Sequence, residues 1–423
     1  MPNQSAVKKR RPFRPPIAPP PPRPSAGLGI PHELTTELGA VLFRAVRDVQ
    51  HCTGTTPEER LRLIRPPTPE VQERLAAALL ESPELSVPLA TFAALLRAPA
   101  LAEAAELAAA CHAVYEWADA RGFKQTALHF AEAAAFADPT DPARANFAAR
   151  TARRTLLKER AADWYARAHG LAVTASNRRE AIYALLGYGA MMRDAGNYDE
   201  ARKAFERGAR RATTTHRRRE AAEAYHDLLA LALEQRKLKL AEVYARKALW
   251  IYPVRHQRFP ALAYDVAFLL LLRSHFSAAT TILERIVPIV TRLEERALVV
   301  SALAWGAAAA GWTIRRKDAQ RQALELLAGG HDDYAPGIYV HLADACRAER
   351  DWEQATSFVT LAQELALARE EPGMAQVALS LRAAIERREE HPLDLPETEA
   401  SGALLRSILA RFAKWKPPQS GSG

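Results

Sequence analysis

Apolar residues fall into a helical rhythm along most of this chain. In the clearest stretch Tyr198 is followed by Ala201, Phe205 and Gly208. An aromatic, a small, a bulky and a second small residue thus share one helical face. The pattern recurs as Phe123, Thr126, Phe130, Ala133, as Phe276, Ala279, Leu283, Ile286 and as Trp352, Ala355, Val359, Ala362. Weaker copies are Lys158, Ala161, Tyr165, Ala168, then Leu238, Ala241, Ala245, Ala248, and Arg316, Ala319, Ala323, Leu326. The first small residue falls at 126, 161, 201, 241, 279, 319 and 355, giving seven copies 35 to 40 residues apart. A period of this size marks stacked repeats, in which no unit buries its apolar face alone. Each copy reads as the second helix of a hairpin. The aromatic closes over the turn, the small residue permits a close helix crossing, and the bulky residue fills the gap to the next repeat. First helices precede them, for example over residues 181–195 and 220–235. Asp138-Pro139, Tyr252-Pro253 and His391-Pro392 act as helix stops, because a proline disfavours helix in the residue before it.

These seven copies resemble the tetratricopeptide-repeat family over about residues 100 to 390. The family's repeat is usually about 34 residues, so this chain is similar to a long-repeat variant. The resemblance implies an all-α fold, a right-handed α-solenoid of about seven helical hairpins. It also implies a concave groove lined by first helices that holds a partner. Counted back from the small residue of each copy, the groove positions fall on Cys111, Tyr115, Asn146, Arg150, Arg153, Tyr183, Arg193, His226, Tyr264, Phe268, Asp344 and Arg347. Arg150, Arg153, Tyr183, Arg193, His226 and Tyr264 are the expected partner-binding residues, because Arg with aromatic rings is the composition of interface hot spots. The carboxylate clamp of chaperone-binding relatives needs a Lys/Asn set, of which only Asn146 is in a comparable slot. The resemblance therefore gives no support for chaperone-tail binding.

The flanks differ from the array. Residues 1–31 hold Lys8, Lys9, Arg10, Arg11, Arg14 and Arg23 with no acid, six of the nine excess positive charges of the chain. With its dense prolines this arm is expected to be a solvated, disordered tail. The rest is nearly charge-balanced, so the high pI does not by itself indicate nucleic-acid binding. Residues 32–98 read as a small helical region that caps the array, with helix starts at Thr56-Pro57-Glu58-Glu59 and Thr68-Pro69-Glu70 and a further helix at 85–97. Residues 99–390 form the array, ending in a lone helix over 372–389. In the segment 391–423, Pro392 and Pro396 suggest a flexible hinge. Leu404, Leu405, Ile408, Leu409, Phe412 and Trp415 then recur at helical spacing among Arg406, Arg411, Lys414 and Lys416. Such a basic amphipathic helix suits packing on its own array, with peripheral membrane contact as a second use.

Catalytic motifs are absent: no phosphate-binding loop, dinucleotide turn, nucleophile elbow or metal-spaced His/Cys set. His226 and Asp227 are adjacent, which on a helix points them about 100° apart. Cys52, Cys111 and Cys346 are too scattered for a disulfide or zinc framework and read as buried reduced thiols. The chain is therefore expected to be a cytoplasmic, non-enzymatic scaffold or adaptor without a cofactor, binding an acidic or extended segment of a protein partner. The alternative is a regulator whose N-terminal helices contact DNA while the repeats sense a signal.

Overall fold

The structure is a computed structural model and describes residues 18–24, 27, 29–252, 256, 258–332, 334–396 and 398–414. Among the described residues there are 21 α-helices and no strand. The fold is an all-α solenoid. The chain divides into two compact units, Met1–Met192 and Arg193–Gly423.

The first unit opens with α1 (Gly29–Glu33), α2 (Glu37–Cys52), α3 (Pro57–Leu63), α4 (Pro69–Glu81) and α5 (Ser86–Arg97). Hairpins follow: α6 (Ala104–Ala120) with α7 (Lys124–Ala137), then α8 (Pro142–Arg154) with α9 (Lys158–Thr174). The next first helix, α10 (Arg178–Asp194), runs across the boundary into α11 (Tyr198–Thr214). The second unit continues with α12 (Arg218–Glu234), α13 (Leu238–Ile251), α14 (Phe259–Leu272), α15 (Phe276–Ile286), α16 (Leu293–Ala309) and α17 (Thr313–Ala328). It ends with α18 (Ala335–Ala348), α19 (Trp352–Ala368), a lone α20 (Pro372–Glu386) and α21 (Glu399–Phe412). From α6 to α19 this is seven helix–turn–helix pairs, matching the seven copies of the pattern.

One turn closes most of the hairpins. A residue with left-handed backbone follows the first helix: Gly122, Leu156, Gly196, Arg236, Ser274, Gly311 and Arg350. The next N–H returns to the carbonyl five residues earlier, as in Phe123 to Ala118 (3.0 Å), Leu157 to Ala152 (3.0 Å) and Asp351 to Cys346 (2.9 Å). This is the Schellman arrangement, and it satisfies carbonyls that a helix end leaves open. A non-glycine residue in that conformation costs about 1 kcal/mol, a cost the recovered hydrogen bonds offset. The small residues of the pattern, from Thr126 to Ala355, are all buried at the crossings. Close approach also explains Gly187: a Cβ there would lie 2.2 Å from the Tyr165 ring.

The termini return to the array. In the first unit α1, α2 and the link between them bury Ile30, Leu34, Leu38 and Leu42 in a core shared with Phe130 of α7. Ahead of them, Arg167 of α9 donates to the Pro19 carbonyl at 2.7 Å. Ala18 lies over Gly170, where a Cβ would meet its Cα at 2.6 Å. At residues 18 and 19 the expected solvated tail is thus held against α9, because a glycine and an arginine there admit and bind the extended proline-rich backbone. Lys8 to Arg14 lie outside the described residues.

In the second unit α21 packs on α13, α14 and α15. It buries Leu404, Leu405 and Ile408, and Phe412 meets Phe259 with ring centroids 5.2 Å apart. Its apolar face is therefore covered by its own array; Trp415 and Lys416 lie outside the described residues. Among the described residues no single helix is long and apolar enough to cross a bilayer.

Candidate functional site

The expected groove positions separate into two groups, one in each unit. In the first unit His112 and Tyr115 of α6 stack on each other and both meet Phe147 of α8 edge to face, with Tyr115 and Phe147 centroids 4.4 Å apart. Arg150 is exposed, and its guanidinium lies 4.4 Å from the centre of the Phe147 ring. A cation over a ring face is attracted by the ring quadrupole. Arg153, half-buried, sits one turn along the same helix. On α10, Arg179 covers Tyr183 at 5.4 Å. Asn146 donates to the Glu180 carbonyl (3.0 Å) and carboxylate (2.8 Å), tying α8 to α10. Cys111 is sealed in the core.

In the second unit the expected residues are held by neighbours. Arg193 lies 3.5 Å from both Asp194 and Glu234. Burial alone would lower its pKa, but Glu234, Asp194 and Asp227 together outweigh burial and hold it above its usual value. His226 is buried, with Nε2 2.9 Å from Asp265 and Nδ1 3.4 Å from the Tyr252 hydroxyl. Its neighbour Asp227 instead pairs with Arg258 at 3.0 Å. The Asp265–His226–Tyr252 chain has the outline of a proton relay. The phenol, however, is buried, and burial pushes its pKa up. Its chemistry is to fix α12 against α14. Tyr264 stacks on Phe268 at 6.1 Å, and Phe268 continues to Trp305 of α16 and His341 of α18. Burial pushes His341 down to about 3, so it is a neutral packing residue bonded to Ser301 at 2.9 Å.

Asp344 and Arg347 on α18 lead to the segment where a flexible hinge is expected from Pro392 and Pro396. Residues 389–395 run without regular secondary structure along the second unit. Arg347 donates to the carbonyls of Glu389 (3.0 Å) and Glu390 (3.1 Å). The Trp305 indole donates to His391 Nε2 at 2.8 Å. Asp394 accepts from the Phe276 N–H (2.7 Å) and the Ser277 N–H (3.3 Å) at the start of α15, and from the Ser277 hydroxyl. The Leu395 N–H donates to the Ser274 carbonyl at 2.7 Å, and His275 Nδ1 lies 3.3 Å from the Leu395 carbonyl. His391 and Asp394 are partly covered, while Leu393 and Leu395 are 83% and 52% exposed. The prolines prevent helix here, and the side chains between them supply anchors that no local periodicity reveals.

Groups suited to covalent or metal chemistry are sparse. All three cysteines are buried and unbridged, and burial raises their pKa, that of Cys346 to about 11. A thiol held protonated is a poor nucleophile. Among the described residues no group of three His, Cys, Asp or Glu could hold a metal ion.

No protein-family model matches the chain. No curated protein matches it either. A solved structure similar to it is described as a circular tandem repeat protein with novel repeat topology and enhanced subunit contact surfaces. That likeness spans 90% of this chain and 96% of that one, at 15% identity and a TM-score of 0.16. A score this low bears on neither fold nor function, and the solenoid assignment rests on the helix pairings above.

Proposed function

We propose that the seven hairpins are tetratricopeptide-type repeats and that the chain is a non-enzymatic scaffold or adaptor whose first helices receive an acidic segment of a partner protein. The family assignment is supported by the repeated aromatic–small–bulky–small face and by the recurrent turn. The observation that carries the binding reading is the exposed Arg150 guanidinium stacked on Phe147 beside Tyr115. A guanidinium carries five N–H donors, so one that stacks on Phe147 and bonds Tyr115 has further donors to offer a carboxylate. The binding surface in this reading is the α6–α8–α10 face with Arg150, Arg153 and Tyr183, where the exposed Arg150 guanidinium lies.

The test is affinity capture with the full chain against an Arg150→Glu, Arg153→Glu double variant. The variant should keep the native circular dichroism and melting profile. Partners that bind the native chain should be lost from it, and native capture should weaken as salt rises. Recovery of the same partners by both chains would show that the α6–α8–α10 face is not the binding surface.

A further inference from the structure

We propose that the surface formed by the α15 N-terminus, Trp305 and Arg347 is a recognition site for an extended acidic peptide, occupied in cis by the chain's own residues 389–395. This site is separate from the Arg150 face and does not depend on it.

The contacts are those of a bound peptide. Main-chain groups are read at both ends: the Glu389 and Glu390 carbonyls by Arg347, and both polar groups of Leu395 by Ser274 and His275. Two side chains are read between them. The His391 ring enters beside Trp305 and Phe276, 5.1 Å from the latter's centroid. The Asp394 carboxylate takes the first N–H groups of α15, where the helix dipole and open donors favour an anion. Main-chain bonds give such a site affinity, and two spaced side chains give it selectivity. The segment's apolar side chains, Leu393 and Leu395, point largely to solvent. Burial therefore holds it only through the His391 ring, and the rest of its hold is polar contacts that another peptide can supply.

The external occupant that fits is a protein segment in extended form with an imidazole-like acceptor three residues before an Asp. Tethered between α20 and α21, the internal segment competes at a high effective concentration, of order millimolar for short linkers. It thereby sets a threshold that a weak ligand does not cross.

The experiment uses the full chain and a fluorescent synthetic peptide spanning residues 387–397. Three proteins are titrated: the native chain, Asp394→Ala, and a chain in which residues 390–395 are replaced by a Gly/Ser linker of equal length. Both variants should bind the probe at least about tenfold more tightly than the native chain. A probe with Asp394→Asn should lose most of that gain. Equal binding by all three proteins, with native circular dichroism, would overturn the proposal. So would failure of both variants to fold, because the segment would then be an obligatory part of the structure. Dimers of the native chain at the concentrations used would assign the site to a second copy and overturn the foreign partner.

Discussion

Two second helices in this molecule begin on a carboxylate from a distant part of the chain, and they use it differently. At α7, Glu33 accepts from the Gln125 N–H (2.8 Å), the Thr126 N–H (2.8 Å) and the Thr126 hydroxyl (2.9 Å). At α15, Asp394 accepts from the Phe276 and Ser277 N–H groups and the Ser277 hydroxyl. The electrostatics are nearly the same. The surroundings are not. Glu33 ends a helix whose Ile30 is buried, with Leu34 and Leu38 sealed beside it. Asp394 sits between Leu393 and Leu395, both exposed. The same bond set is a permanent cap where a packed aliphatic core backs it and a displaceable contact where only the His391 ring does.

That contrast should appear first in stability. Glu33→Ala removes a charged acceptor and leaves three donors at a packed helix start. It should lower global stability by about 2 kcal/mol, measured by denaturant unfolding of the full chain. An unchanged midpoint would mean that α1 contributes nothing to the α7 end. Asp394→Ala should cost less, about 1.4 kcal/mol, the equivalent of the tenfold gain in probe binding, because its segment can leave the array without opening a core of packed aliphatic side chains. A loss as large as that of Glu33→Ala would erase the distinction.

A smaller effect concerns pH. Burial is the main influence on His391 and holds its pKa below the ordinary value, with Arg347 adding to the depression and Asp344 opposing it. The neutral ring accepts from Trp305 through Nε2. A group that folding keeps deprotonated contributes in full above its unfolded pKa of about 6.5 and loses that contribution as pH falls toward the folded value. Binding of a probe with His391→Asn, whose amide oxygen can accept from Trp305 at any pH, should therefore rise modestly from pH 7.5 to pH 5.5, and His391→Asn in the protein should flatten the profile. A pH-independent native profile would remove His391 from the account of how the segment is held.

The array itself was legible in the sequence because each repeat carries its own signal. A small residue recurring on a helical face is a local, repeated requirement, and all seven such positions are buried. The helix ends were less exact. The first helix expected at 181–195 spans Arg178–Asp194, because the turn residue Ser176 takes a left-handed backbone conformation that hydropathy does not encode. The groove was legible only in part. His226 bonds Asp265 one repeat away, a pairing visible only when repeats are aligned in register. Asp394 reaches a helix start 118 positions back, and nothing near it in the sequence signals a cap. Pro392 and Pro396 correctly excluded helix, but they could not tell a free hinge from an extended segment held by Arg347, Trp305 and His275.

The contrast between a fixed and a displaceable cap is read most directly by amide hydrogen exchange in the native full chain. The amides of Gln125 and Thr126 at α7 and those of Phe276, Ser277 and Leu395 at α15 are followed in the same sample at several low denaturant concentrations. Local opening exchanges amides without exposing much surface, whereas global unfolding responds steeply to denaturant. The account predicts that the α15 amides exchange at least tenfold faster, with little dependence on denaturant, while the α7 amides follow the unfolding of their unit. Equal protection at both helix starts, with the same denaturant dependence, would contradict it.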